Sequence, residues 1–351
     1  MHLVKFVRQL KKDPTGLIGI SVLGIAIIIS IFGANLRPDS SLNANNQHPE
    51  IAKLSPGTEV LFIQELGHES ASFFKRMFFG GDEIIKEIPA DSVWFVGDKL
   101  HYYRTSTHGR IAVELVHDKP RNQLVLESRK FFLGTDKLGR DVLSRLMGGT
   151  IVSLSVGLIS VAISLLIGIV LGAFAGYFGG WIDNTIMWFV NVVWSIPTLL
   201  MVMAITLALG KGFVQVFIAV GLTMWVEVAR VVRGRFIELK QQDYVMAAKL
   251  LNAPSHKIIF SEMLPNAVGP LVVIAAGNFS TAILLEAGLS FLGIGAQVPM
   301  PSWGGMIKSH FAYLTTDAAF IPLVPGFAIM LLVLSFIWIG NTLRDSFDVR
   351  A

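Results

Sequence analysis

Residues 153–178 read SLSVGLISVAISLLIGIVLGAFAGYF, an apolar run without a single Asp, Glu, Lys or Arg. About 20 such residues cross the hydrocarbon core of a bilayer as a helix, so this stretch predicts a membrane span. Leu17–Ala34 and Ile186–Leu209 are equally free of charge, and Val214–Val232, Val268–Leu285 and Phe320–Leu343 complete a set of six. Composition agrees: 53% of the 351 residues are hydrophobic and only 15% are charged, with a mean hydropathy of +0.61. Soluble domains carry about a quarter charged residues. The sequence therefore predicts an all-α polytopic membrane protein with about six transmembrane helices. The first run is long and ends Phe32-Gly33-Ala34-Asn35-Leu36-Arg37-Pro38. It is expected to stay as an anchor rather than to be cleaved as a signal peptide.

Lysine and arginine set the expected orientation. Lys5, Arg8, Lys11 and Lys12 precede the first span, Arg230, Arg233, Arg235, Lys240, Lys249 and Lys257 gather at and after the fourth, and Arg344 and Arg350 follow the sixth. The short loops on the other side hold only Lys211 and Lys308. By the positive-inside bias both termini are cytoplasmic. The expected organisation is a cytoplasmic segment 1–16, a first helix 17–36, an extracytoplasmic insert 37–148, a five-helix core 149–343 and a cytoplasmic tail 344–351. Runs such as Val60–Ile63 and Ile111–Val116 are short and β-branched, bounded by Gly, Pro, Asn and Asp, so the insert is expected to be β-rich. Cysteine is absent, which excludes disulfides and thiol chemistry in this chain. The eight histidines are scattered without metal-ligand spacing, and no metal site is expected.

Within the spans, Gly168, Gly172 and Gly176 recur at four-residue spacing, a stripe that lets a second helix approach closely. Pro197 removes a backbone donor in mid-span and should kink the third helix, with a role in lining a pathway left open. Glu286 follows an uncharged run, either as a pathway or gating carboxylate or as one that holds the end of the fifth span. Glu227 and Arg230, three apart on the fourth span, suggest a local ion pair or a link to the loop that follows.

That loop runs from residue 240 to 265 and includes Asp243, Tyr244, Met246, Ala247, Ala248, Leu251, Asn252, Ala253 and Pro265. It reads as a short helix with a bare alanine face, a left-handed residue at Asn252, and a second short helix. Pro265 should stop or redirect the chain before it re-enters the membrane. The spacing resembles the coupling loop of ABC importer permeases: Glu-Ala-Ala, three residues, Gly, then about nine residues and Ile-x-Leu-Pro. Met246 stands where the family usually has Glu, and Asn252 where it has Gly. In that family the loop docks in a cleft on a cytoplasmic ATPase.

Three further stretches resemble one branch, the second permease subunit of dipeptide, oligopeptide and nickel importers. They are Leu133–Arg145, which includes Asp136, Lys137, Arg140, Asp141 and Arg145; Glu286–Gly295 with Pro301-Ser302-Trp303-Gly304 after it; and Gly340–Asp348. The charged residues of the first stretch read either as a solvated amphipathic helix at the outer surface or as a contact for a partner permease or binding protein. Trp303 joins Pro197 and Glu286 as a pathway or gating candidate. The chain departs from the branch at Trp188 and Asn191, where an Arg and an Asp are usual, and in the length of its insert.

The resemblance implies a subunit of the bacterial inner membrane that pairs with a second permease. It implies two ATPase subunits, which hold ATP and Mg, and a substrate-binding protein outside. This chain is expected to bind no cofactor and no nucleic acid. It lacks a Gly-x-x-x-x-Gly-Lys-Ser/Thr phosphate loop, a nucleophile elbow and His-Glu-x-x-His, so no enzyme class is supported by its own residues. The rival readings are an ion-gradient-driven secondary transporter and a membrane-anchored receptor.

Overall fold

The structure is a computed structural model that describes residues 10, 13–39, 41, 43–65, 87–104, 114–120, 124–210 and 212–347. Lys5, Arg8, Lys11, Lys12, Ile111, Ala112, Val113, Lys211, Asp348 and Arg350 lie outside the described residues. Among the described residues five helices are long and apolar enough to cross a membrane: α1 (Pro14–Leu36), α2 (Val142–Phe178), α5 (Phe213–Leu239), α7 (Ser255–Leu292) and α9 (Phe320–Phe347). Between α2 and α5, the third expected span is two helices, α3 (Gly180–Trp194) and α4 (Thr198–Leu209), bent by 89° at a short break. Counted as one broken span, the pair makes six. Pro197 sits at the break as the N-cap of α4, and the bend is far sharper than a kink within a continuous helix.

The chain forms two compact units. The first comprises residues 1–26, 153–297 and 329–351. Here α2 and α5 pack with unusual closeness, because a Cβ placed on Gly168, Gly172 or Gly176 would lie 2.5–2.6 Å from Val228, Ala229 or Phe236. The glycine stripe is therefore a helix-packing device. Val190 of α3 joins Trp225, Val226 and Ala229 of α5 in a buried cluster. Arg233 binds Asp183 side-on, Nε to Oδ1 at 2.5 Å and Nη2 to Oδ2 at 2.6 Å, which fixes the first turn of α3. Asp13 caps α1 by accepting from Thr15 N–H, and Thr342 of α9 donates to it at 2.5 Å.

The second unit comprises residues 27–152 and 298–328. It holds an antiparallel sheet of β1 (Thr58–Glu65), β2 (Glu87–Val96), β3 (Lys99–Arg104), β4 (Glu114–Pro120) and β5 (Leu124–Phe131), in the order β4-β3-β2-β1-β5. The β-rich insert is thus present. Ile51, Val60, Phe62 and Phe131 form one core cluster and Ile63, Ala90, Leu100 and Tyr102 another. Segment 298–328, with its helix α8 (Trp303–His310), belongs to this unit as well.

The Glu87 side chain, 2% exposed, receives Arg129 at 2.8 and 3.1 Å and lies 3.4 Å from His48. Burial alone would raise its pKa, but hydrogen bonds and charge from His48 and Arg129 win and hold it at about 2. A carboxylate depressed from 4.5 to about 2 adds stability that is complete above pH 4.5 and drains away as the pH falls toward 2. Glu87→Gln is expected to remove that acid dependence and to lower the unfolding temperature of the full chain at pH 7. Thermal scans of both proteins between pH 3 and 7 check this.

The motif from Asp136 to Arg145 is not a solvated surface helix. Asp136, Arg140, Asp141 and Arg145 are all 5% exposed or less. Arg140 reaches Asp136 Oδ2 through Nε at 2.7 Å and Asn45 Oδ1 through Nη1 at 3.1 Å, and Arg145 Nη1 donates to Ala44 O at 3.3 Å. Asp141 accepts from Ser144 N–H at 2.8 Å at the start of α2, and burial raises its pKa. Buried charges must be paired and hydrogen-bonded, and here local partners are joined by Asn45 and Ala44 from about 100 positions earlier. Gly139, at φ +71°, permits the turn, since a Cβ there would lie 1.8 Å from His48 O.

Candidate coupling site

α5 ends at Leu239, and after a three-residue turn the chain forms α6 (Asp243–Leu250). Asp243 in its first turn and Lys249 in its last both complement the helix dipole. The helix ends in a Schellman motif: Asn252 N–H donates to Lys249 O at 2.9 Å and Ala253 N–H to Ala248 O at 3.1 Å. Asn252 occupies the left-handed position at φ +58°, as its residue type predicts. Val at this position would cost about 1–2 kcal/mol, whereas Gly would fit without strain. Asn252→Val is therefore expected to impair the loop and Asn252→Gly to preserve it, as read by ATP-driven import in vesicles.

Val245 is fully buried and anchors α6 in a cluster with Val232, Phe236, Leu239, Ile258 and Met263. Ala248 and Ala253 pack at its edge. The opposite face is bare: Leu250 is 88% exposed, Leu251 83% and Met246 47%, with Tyr244, Ala247 and Asn252 also exposed. Scattered single apolar residues are ordinary on a surface, but four neighbouring ones on a short, firmly anchored helix form a contact surface. Beside it lies a cleft of about 800 Å³ lined by Gly176, Gly179, Ile237, Lys240, Met246 and Leu250, among others.

The second short helix is the start of α7. An α turn at Ser255–Lys257, a π turn at Ile258–Met263 and a 3₁₀ turn at Leu264–Ala267 run into the α-helix Val268–Leu292. Pro265 does not stop or redirect the chain. It occupies the opening of the 3₁₀ turn, a first-turn position where a proline's missing donor is tolerated. The loop is thus tied to two long helices, α5 before it and α7 after it.

The structure separates the other candidates. Pro197 is exposed at the α3–α4 break. Glu286, by contrast, is 1% exposed and accepts from Ser290 Oγ at 2.7 Å. Ser290 Oγ in turn accepts from Ala296 N–H at 3.3 Å, and a Cβ on Gly295 would strike that hydroxyl at 2.1 Å. The stretch Glu286–Gly295 therefore builds a compact helix end with Gly293 left-handed at φ +84°, and Glu286 holds it together. Trp303 is also buried. Its indole donates to Leu146 O at 2.9 Å and fills the space that Gly149 leaves. It is a packing residue of the second unit.

The expected ion pair of Glu227 with Arg230 does not form. Arg230 Nη2 donates to Asn191 Oδ1 at 2.6 Å, and the guanidinium lies 3.6 Å from the Trp194 ring centroid. A cation–π contact is worth about 0.5–2 kcal/mol, against a few tenths for an exposed pair one turn apart on a helix. Among the described residues Glu227 is exposed and makes no hydrogen bond or ion pair. Sequence reading missed Asn191 and Trp194 as partners. Their one signal was the polarity of Asn191 and the aromaticity of Trp194 within an uncharged span.

A family model described as binding-protein-dependent transport system inner membrane component matches residues 168–350. The dipeptide transport system permease protein of Alkalihalophilus pseudofirmus is 40% identical over 66% of this chain and 76% of its own length. The glutathione transport system permease protein of Salmonella typhimurium is 42% identical, covering 64% and 73%. The oligopeptide transport system permease protein of Bacillus subtilis is 36% identical, covering 64% and 74%. With a family model over just over half its length and membrane helices throughout that region, the chain belongs to the inner-membrane components of binding-protein-dependent transport systems.

Proposed function

We propose that this chain is one of two membrane-spanning permease subunits of an ATP-driven importer for peptides or related small solutes. The observation that carries the reading is α6, an exposed apolar helix held by buried Val245 between two spans of a transport-family bundle. Relatives named for dipeptide, glutathione and oligopeptide transport support the solute class. In this reading both termini and the 240–265 loop are cytoplasmic, and the β-rich insert is outside. Two separate ATPase subunits hold ATP and Mg and carry out hydrolysis.

ATP-driven closure of the ATPases moves α6, and Val245 passes the movement to α5 and α7. The pair of permeases then shifts from inward- to outward-facing, and a binding protein delivers the solute. The shift requires ATP-bound ATPases to bind the outward state more tightly, since a partner with equal affinity for both states shifts nothing. Purification of the tagged chain from its native membrane tests the reading. Recovery of a second permease and ATPases, with ATP-dependent uptake of peptides after reconstitution, is the expected result. Recovery of the chain alone, with flux that ignores ATP, would contradict it.

A further inference from the structure

Two independent features share one face of the first unit. The α3–α4 break is exposed along its whole length, from Trp194 through Leu200, within a segment apolar enough to cross the membrane. Irregular backbone at membrane depth occurs only where protein or water covers it, never against lipid. The second feature is charge. Glu227 is exposed in mid-α5 without a partner among the described residues, and Arg230 lies one turn away, half-buried. Charged side chains in a span face a water-filled cavity or another protein. Arg230 joins the two features, because it bonds Asn191 and stacks on Trp194 in the last turn of α3.

The contacts of Arg230 also prepare it for a ligand. Asn191 engages Nη2 and the Trp194 ring holds the plane of the guanidinium. No other N–H of Arg230 has a hydrogen-bond partner among the described residues, and buried Nε is one of them. A carboxylate would satisfy these groups. Glu227 offers the opposite charge on the same side of the helix, with Cβ atoms about 5–6 Å apart at this spacing. A dipeptide in extended form spans about 7 Å.

We infer that this face lines the solute pathway and that Arg230 takes the α-carboxylate, and Glu227 the α-ammonium, of a di- or tripeptide with free termini. The assignment rests on the reading of the chain as a peptide permease. Neutral Asn191 orients Arg230 without cancelling its charge, so the guanidinium stays available to an anion.

The chain has no cysteine of its own, so a single introduced thiol reports unambiguously. Ile196→Cys, exposed at the α3–α4 break and outside the pair that holds the peptide ends, is placed in the full importer in nanodiscs, with Ser195→Cys as a second reporter if the first fails to assemble. A charged, membrane-impermeant methanethiosulfonate is then applied, with fully buried Val228→Cys as control. The expected result is labelling at least about 10-fold faster than at Val228→Cys. An equimolar mixture of di- and tripeptides should slow it, and the same mixture acetylated and amidated at its ends should not. Arg230→Gln should lower import of the free mixture by about 10-fold or more, as loss of a charged hydrogen-bond partner predicts.

Labelling of the isolated chain but not of the assembled importer would show that the second permease covers this face, and would overturn the assignment. So would labelling that free and blocked peptides affect alike. Wild-type import of the same mixture, measured in parallel, separates the two readings. No import sinks the peptide reading itself, whereas import with an unprotected thiol sinks only this assignment.

Discussion

Deletion of Ala247–Asn252 is expected to reduce ATP-driven import to the level of vesicles without ATP, while the chain still inserts and still assembles with its partner permease. The deletion removes the second half of α6 with its Schellman cap, and with it the exposed residues Leu250 and Leu251. Val245 and the buried cluster around Phe236, Ile258 and Met263 remain, so the bundle keeps its core. A charge carried unpaired into an apolar contact costs about 1–3 kcal/mol or more, roughly 5- to 150-fold in affinity. The point variants Leu250→Asp and Leu251→Asp should therefore each reduce coupled import by more than about 10-fold. Hydrolysis by the ATPases should lose its stimulation by solute-loaded binding protein in parallel. Import that survives the deletion would mean that the stroke enters elsewhere.

The second large effect is structural. Arg140→Ala leaves Asp136, 2% exposed, with backbone donors from Leu138 and Arg140 but without its cation. Breaking a buried ion pair from one side costs about 3–5 kcal/mol, a large part of the stability of an ordinary domain. The expected outcome is a second unit open to limited proteolysis in membranes and a sharp fall in the amount of chain. Replacing both partners, Asp136→Asn with Arg140→Met, should be milder than Arg140→Ala alone, because no charge is stranded. A double variant as unstable as the single would assign the role to Arg140's bond with Asn45 instead.

Much of this architecture can be read along the sequence, for physical reasons that also mark the limits. Apolar length alone locates the spans, because lipid demands an unbroken run whatever the neighbours are. Asn252 was legible because few residues tolerate positive φ, and Gly168, Gly172 and Gly176 because small residues at helical spacing have few other uses. The failures share a different cause. Spacing showed that Glu227 and Arg230 could meet, but not that Asn191 and Trp194, more than 35 positions earlier, offer Arg230 more. It showed mixed charges from Asp136 to Arg145, but not that residues 43–54 bury them. Nor could it assign 298–328 to the insert's unit, which depends on contacts such as Trp303 with Leu146. Pro265 misled for a local reason: it sits in the opening of a 3₁₀ turn, where a proline needs no donor and the chain can continue into α7.

The most direct test of coupling through α6 is a cross-link. Leu250→Cys, the only thiol in this chain, is labelled with a benzophenone maleimide in the native membrane and irradiated. The account predicts one adduct, of this chain with an ATP-binding subunit, which changes in yield when ATP is trapped in the complex. An adduct that forms only with other proteins or with lipid, while the labelled chain still supports import, would contradict it.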